Sequence, residues 1–283
     1  MDYNEQLDLL IKNALAEDIG DGDHSTLSSI DENAKGKAIL KIKQDGVLAG
    51  VNVAEKIFRY MQPGIVFNKF KDDGEQMVYG ETAFEVLADV YTILQCERLV
   101  LNCMQRMSGI ATLTKKYTDK LKNYKTKLLD TRKTTPNFRL LEKEAVRIGG
   151  GVNHRFGLYD MIMLKDNHID YCGSIEVAIS KAYNYVQENK PGLKIEVETR
   201  NMDDVKRVLA FGKIDRIMLD NFTPAQITEA LRLIDGNYET EASGGINYEN
   251  IETYAATGVD YISSGAIIHQ AVSLDLSLKA RIV

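Results

Sequence analysis

Residues 195–243 read IEVETRNMDDVKRVLAFGKIDRIMLDNFTPAQITEALRLIDGNYETEAS, and the alternation within this stretch decides the fold. Apolar runs of strand length (IEVE, IDRIMLD, YETEAS) are separated by segments with helical spacing, the signature of a parallel βα repeat. The helix starts agree. Thr223-Pro224-Ala225-Gln226 is a capping box with proline at the first helical position, and Asn201 and Asn247 are caps of the right kind for two neighbouring helices. Working outward, KLLD (127–130), YDMIMLK (159–165) and VDYISS (259–264) continue the pattern. Six such runs with no GxGxxG after the first favour a barrel over a dinucleotide-binding sheet.

The chain before this repeat reads as a different kind of structure. A short helix, strands AILKIKQDGVLAG and TAFEVLADV, and a helix AEKIFRYM between them predict an α+β domain. A long helical pattern then runs from near Tyr91 to about Lys122, with Ser108-Gly109 as an expected break.

Composition sets limits on function. A chain of 283 residues, 44% hydrophobic and 27% charged, can bury a sizeable core. Its net charge of -6 argues against general nucleic-acid binding, and no stretch has the length and apolarity of a membrane span. Cys96, Cys103 and Cys172 have no CxxC spacing and no histidine in metal-ligand register, so they read as reduced thiols. With an acidic start in MDYNEQLDLL, the expected location is the cytoplasm. Met161, Met163 and most of the tyrosines read as core.

The strand ends carry the chemistry. Read to their carboxyl edges, the runs end in Asp130 with Thr131-Arg132-Lys133, then Lys165, Glu198, Asp220, Ser243-Gly244-Gly245 and Ser263-Ser264-Gly265. In a βα barrel these edges converge on one face, and the last strands often supply a phosphate site. A phosphate is therefore expected near Gly244, Gly245 and Gly265, with Lys165, Glu198 and Asp220 beside it. Between Asp130 and His168, Arg132, Lys133, His154, Arg155 and Lys165 gather around a Thr-Thr-Pro turn and a triple glycine in an otherwise acidic chain. That suits an anion with several charged groups, since arginine and lysine donate to carboxylates and phosphates. Blander readings remain for each residue: a solvated turn for Arg132 and Lys133, a structural role for His154, a helix stop for Gly149–Gly151, and ordinary strand-end charges for Lys165, Glu198 and Asp220.

DTRKTTP, LLEKEAVRIGGGVNHRFGLYDMIMLKDNH, IEVE, IMLDN, EASGGI and YISSGAI, with LAEDIGDGDHST and ERLVLNCMQRMSGIAT before them, resemble quinolinate phosphoribosyltransferase over the whole chain and in order. The resemblance implies an N-terminal α/β sandwich domain over 1–109, with the tail 273–283 packing on it, followed by an open parallel α/β barrel over 110–272. It implies that quinolinate and phosphoribosyl pyrophosphate give nicotinate mononucleotide, pyrophosphate and carbon dioxide with Mg2+, in a homodimer or higher homo-oligomer. Carried over by position, it puts Arg132, His154, Arg155 and Lys165 around the two carboxylates, with Thr131 as a further substrate contact. Arg98 then reaches in from the partner subunit and Lys133 falls near the phosphates. Glu198 and Asp220 match acids that hold the ribose hydroxyls and the metal-bound diphosphoribose, and with Lys165 are the expected catalytic groups. Ser243, Gly244 and Gly245, and Ser264, Gly265 and Ala266, match backbone that binds the 5-phosphate. One departure is visible in Asp23-His24-Ser25-Thr26, where the family more often has an aliphatic residue before paired threonines. Three rivals stay open: a nicotinate-using sister enzyme, an aldolase with Lys165 as Schiff-base lysine, and a non-catalytic binding protein.

Overall fold

A computed structural model describes residues 2–282. In chain order, α1 (Tyr3–Ile19), α2 (His24–Ser29), β1 (Lys35–Ile42), β2 (Gly46–Val47), α3 (Val51–Met61), β3 (Val66–Lys69), β4 (Gln76–Met77) and β5 (Thr82–Asp89) lead into α4 (Val90–Leu121). Next come β6 (Lys127–Leu129), α5 (Arg139–Ile148), β7 (Ile162–Leu164), α6 (Asp166–Cys172), α7 (Ile175–Asn189) and β8 (Ile195–Thr199). The chain continues through α8 (Met202–Phe211), β9 (Arg216–Asp220), α9 (Pro224–Ile234), β10 (Glu239–Ser243), α10 (Ile251–Ala255), β11 (Tyr261–Ser263), α11 (Ala266–His269) and β12 (Leu276–Ile282). These form two compact units. One runs to Lys115 and takes in Thr134–Gly150 and the chain from Ile267 onward; the other holds Lys116–Lys133 and Gly151–Ala266.

The first unit is built on an antiparallel sheet in the order β12-β1-β5-β3. Along β1, Ala38, Leu40 and Ile42 are buried and alternate with partly exposed neighbours, the period of a strand with one covered face. Phe84 of β5 stacks on Phe67 at 4.6 Å between ring centroids and meets Phe58 of α3 edge-on at 6.3 Å. Each such ring removed from water stabilises the fold by about 1.5–3 kcal/mol. α1 is 17 residues long rather than short, and buries Leu7, Ile11 and Leu15 along one stripe.

α4 is continuous through Ser108-Gly109, where the sequence predicts a break. Both residues serve packing. Ser108 Oγ accepts from the Ala49 N–H at 3.0 Å and donates to the Ala49 carbonyl at 3.2 Å, while a Cβ on Gly109 would collide with the Val272 carbonyl. The tyrosine expectation also fails: among the described tyrosines only Tyr117 is buried, and Tyr79, Tyr159 and Tyr171 stand mostly in solvent. Met163 is buried, but Met161, one residue ahead of β7, is half-buried.

The second unit is a six-stranded parallel sheet ordered β6-β11-β10-β9-β8-β7, containing all six runs read from the sequence. Among the described residues β6 and β7 do not pair with each other, and β6 gains only a bridge from Leu129 to Val152, so the barrel is open. Capping holds as read at Thr223, which accepts from Gln226 N–H, and at Asn201, which accepts from Asp204 N–H at 2.9 Å. Asn247 differs. Its side chain accepts from the Glu249 and Asn250 N–H groups at 3.0 and 3.2 Å, closing a turn ahead of α10 instead of capping it.

Candidate active site

Side-chain parity decides what the barrel encloses. Val197, Ile217, Leu219 and Ala242 are fully buried, whereas their alternate neighbours Glu198, Met218, Asp220, Glu241 and Ser243 line a cavity of about 750 Å3 at the carboxyl ends of the strands. The cavity brings together every proposed substrate-binding residue except Arg98, which is exposed on α4 and is not among its lining residues. A wider hollow of about 1090 Å3 lies at the amino ends of the same strands. Its acids are committed within the barrel, Asp260 to Thr240 and Lys125 and Glu239 to Arg216, and its cations are Lys125, Lys127 and Lys194; the carboxyl-end cavity is the candidate site because barrel sites form at the carboxyl ends of the strands.

The cationic side begins at Asp130, just past β6 and fully buried. Its carboxylate accepts from the His154 N–H at 2.8 Å and from Asn153 Nδ2 at 2.6 Å, tying the loop after the triple glycine to the end of β6. Arg132 and Lys133 follow, exposed, with the Lys133 N–H donating to Thr131 Oγ1 at 3.0 Å. Arg155 is half-buried and donates to the Met161 carbonyl at 3.1 Å; burial and the nearby charge of Arg132 lower its pKa. The hydroxyls of Thr134 and Thr135 do not line this cavity. Thr134 Oγ1 accepts from Arg139 and Thr135 Oγ1 donates to Glu142, a buried acid that also meets Arg106 at 2.8 Å.

Opposite stand the acids. Lys165 Nζ lies 3.6 Å from Glu198 Oε2. Burial raises the Glu198 carboxyl above its usual range, Lys165 pulls it back, and the charge of Asp220 pushes it up again. Asp220 accepts from Asn221 Nδ2 at 2.6 Å, and the Asn221 N–H donates to the Ser243 carbonyl at 2.8 Å, so the ends of β9 and β10 are held together. Gly244 and Gly245 have φ of +92° and +63°. A Cβ on Gly244 would collide with the Asn221 side chain, so only glycine fits there. Ser264 Oγ donates to the Ile246 carbonyl at 3.0 Å, leaving Gly265 and Ala266 at the start of α11 to complete the rim.

Below this layer lies a group the sequence reading missed. His154 Nε2 is 3.0 Å from Glu196 Oε2 and 3.2 Å from Glu241 Oε2, and Arg216 Nη1 is 3.2 Å from that same Glu241 oxygen. All four residues are buried. Burial alone would push the His154 pKa down, but the two carboxylates outweigh it and lift it to about 9; Glu196 is raised to about 7 by burial and by Glu241. The Arg155 N–H lies 2.6 Å from His154 Nδ1. The signal was present in the alternation: Glu196 shares parity with Glu198, Arg216 with Asp220, and Glu241 with Ser243.

An open βα barrel with cations, acids and a glycine pair around one mouth has the make-up of a pocket for an anionic ligand. Comparison with known proteins narrows that class. Residues 23–108 match the model of the quinolinate phosphoribosyl transferase N-terminal domain and residues 110–279 that of the C-terminal domain. A quinolinate phosphoribosyltransferase [decarboxylating] 2b, mitochondrial, of Nicotiana tabacum is 41% identical over 285 residues, covering 95% of this chain and 81% of that protein. A chloroplastic nicotinate-nucleotide pyrophosphorylase [carboxylating] of Oryza sativa subsp. japonica is 42% identical over 288 residues, covering 96% and 77%. The crystal structure of NadC from Streptococcus pyogenes superimposes with a TM-score of 0.91 at 41% identity, covering 98% of this chain and 97% of that one. This chain belongs to the quinolinate phosphoribosyltransferase family.

Proposed function

We propose that this chain transfers the phosphoribosyl group of phosphoribosyl pyrophosphate to the ring nitrogen of quinolinate with loss of carbon dioxide, giving nicotinate mononucleotide and pyrophosphate for NAD biosynthesis. The observation that carries this reading is the single cavity that unites Arg132, Arg155 and Lys165 with Glu198, Asp220 and the Gly244-Gly245 pair. The cations suit two ring carboxylates, and the glycines suit a 5-phosphate at the barrel rim.

The pyridine nitrogen attacks the ribose C1 with its own lone pair, and the bond from C1 to the pyrophosphate oxygen breaks with its electrons leaving on pyrophosphate. No general base is required. As the ribose becomes cation-like, the carboxylates of Glu198 and Asp220 offer fixed negative charge, and Lys133 meets the leaving group. Magnesium is the cofactor we assign, and Glu198 and Asp220 are the residues that would hold it with the diphosphate substrate. These are oxygen donors close enough for Asp220 to raise the Glu198 pKa, a set that fits a hard cation. When bound, it supplies charge neutralisation for the leaving diphosphate. The ribosylated, positive ring nitrogen then stabilises the carbanion left at C2 when the adjacent carboxylate departs as carbon dioxide, and a proton from Lys165 or solvent closes it.

We assign a homodimer or higher homo-oligomer in which Arg98 enters the partner's pocket; its exposure on α4 supports this. We also assign the cytoplasm, supported by three unpaired cysteines, two of them buried with thiols pushed up to about 12. Among the described residues no helix is long and apolar enough to cross a membrane.

The test is turnover of quinolinate or nicotinate with phosphoribosyl pyrophosphate and magnesium, reading carbon dioxide and nucleotide. Quinolinate should react and nicotinate should not, because a monoacid forgoes the charge-assisted hydrogen bonds that the second ring carboxylate makes with the cations. Comparable turnover of nicotinate would sink the assignment.

A further inference from the structure

We propose that Asn250 is a positioning residue for the 5-phosphate of phosphoribosyl pyrophosphate, its side-chain amide holding the backbone of the Gly244-Gly245 loop that receives it. The inference deepens the function proposed above and rests on it. Its starting point is a helix start that does not use its own cap. Asn250 stands just before α10, where an asparagine side chain ordinarily accepts an N–H of the first helical turn, yet it makes no such bond. The amide turns back instead. Nδ2 donates to the Gly245 carbonyl at 3.1 Å, and Oδ1 accepts the Asn247 N–H at 2.8 Å. A carbonyl can only accept and an N–H can only donate, so the two ends of the amide are fixed by their partners. One side chain thereby holds both peptide planes that flank Ile246.

This loop needs holding. Gly244 and Gly245 have φ of +92° and +63°, and glycine loses more freedom on being ordered than any other residue. Three carbonyls of the stretch are tied: Ser243 to the Asn221 N–H at 2.8 Å, Gly245 to Asn250, and Ile246 to Ser264 Oγ at 3.0 Å. Across a trans peptide the C=O and the following N–H point opposite ways, so these ties turn the Gly244 and Ile246 N–H groups away from the residues that make them. Among the described residues, the N–H groups of Gly244, Gly245 and Ile246 donate to no acceptor in the chain, and all three residues line the cavity. Successive N–H groups of this kind form a concave cradle for an anion, and a phosphate monoester fits it. Asn247 closes the same turn from its other end. Its side chain accepts from the Glu249 and Asn250 N–H groups and makes no bond to Gly245, which separates holding the cradle from merely closing the turn.

The experiment compares the wild-type chain with Asn250→Ala and, as a control on the same turn, Asn247→Ala. Steady-state kinetics for both substrates, inhibition by ribose 5-phosphate and by pyrophosphate, and melting curves are recorded with magnesium present. In Asn250→Ala the KM for phosphoribosyl pyrophosphate should rise about fivefold, the scale of one neutral hydrogen bond, with kcat and the quinolinate KM near wild type. Inhibition by ribose 5-phosphate, which carries the 5-phosphate without the diphosphate, should weaken by the same factor while inhibition by pyrophosphate is unchanged. Asn247→Ala loses hydrogen bonds of the turn but keeps the tie on Gly245, so its KM values should stay near wild type even where its melting point falls. An unchanged KM for phosphoribosyl pyrophosphate in Asn250→Ala overturns the proposal, as does an equal rise in Asn247→Ala or an equal weakening of pyrophosphate inhibition. If Asn250→Ala does not fold, Asn250→Ser, too short to reach both partners, replaces it with the same expectation. Failure of both to fold would make Asn250 a stability element and overturn the proposal too. An inactive wild type would instead defeat the function proposed above, whereas an active wild type with an unaltered Asn250→Ala defeats only this inference.

Discussion

Lys165 is the residue on which two chemistries divide. A Schiff-base lysine needs apolar or cationic surroundings, yet the nearest ionic partner of Lys165 is Glu198 at 3.6 Å, in a cavity it shares with Asp166 and Asp220. Lys165→Ala should reduce kcat by about two to three orders of magnitude, the scale of one preorganised electrostatic group, with the fold intact by circular dichroism. Borohydride should trap no substrate-derived adduct on Lys165, and recovery of one by mass spectrometry would return the aldolase reading. Glu198 and Asp220 are argued differently. Their charge matters most when the ribose is cation-like, so Glu198→Gln or Asp220→Asn should lower kcat more than quinolinate affinity, measured by turnover and by calorimetric binding. If only quinolinate binding weakened, the acids would belong to the carboxylate subsite.

At the scale of elements, the barrel depends on side chains that tie one strand to the next. Asp260, ahead of β11, accepts from Thr240 N–H at 3.0 Å and Thr240 Oγ1 at 2.7 Å in β10, and meets Lys125 at 3.1 Å. Burial would raise its carboxyl, but the bonds from Thr240 and Lys125 prevail and hold it below the ordinary 3.8. A depressed folded pKa contributes stability that is present above the unfolded value and lost as pH falls through the folded one. Asp260→Asn should therefore destabilise by about 1 kcal/mol at neutral pH, with the gap to wild type closing only below pH 3.8, as read from urea melts across pH. The strands were legible because each hydrophobic run ends in polar chemistry, and the caps at Thr223 and Asn201 because capping is local. Ser108-Gly109 misled for a physical reason: a breaker signal and a close-packing signal use the same small residues, and only the tertiary partners Ala49 and Val272 tell them apart. Glu196, Arg216 and Glu241 were passed over because charges inside a strand run read as interruptions until parity assigns them to the barrel interior.

For the whole molecule the open question is how many chains make one site. The cavity of one chain gathers Arg132, Lys133, Arg155 and Lys165 without Arg98, and the family resemblance gives Arg98 a place on quinolinate. A surface arginine beside Glu97 on α4 is the plainer account, and the two differ in a measurable way. If the site is shared, Arg98→Ala and Lys165→Ala should each be nearly inactive alone. Mixed and allowed to exchange subunits, they should regain activity, because a heterodimer with one defect on each chain holds one intact site and one doubly broken site. Random reassortment makes about half the dimers mixed, each with one good site, so recovery should approach about a quarter of wild type, as two-fold interface symmetry requires. Exchange is verified by native mass spectrometry of isotopically distinct chains. Absence of recovery after verified exchange would remove Arg98 from the partner's pocket and leave each chain with the cavity it encloses by itself.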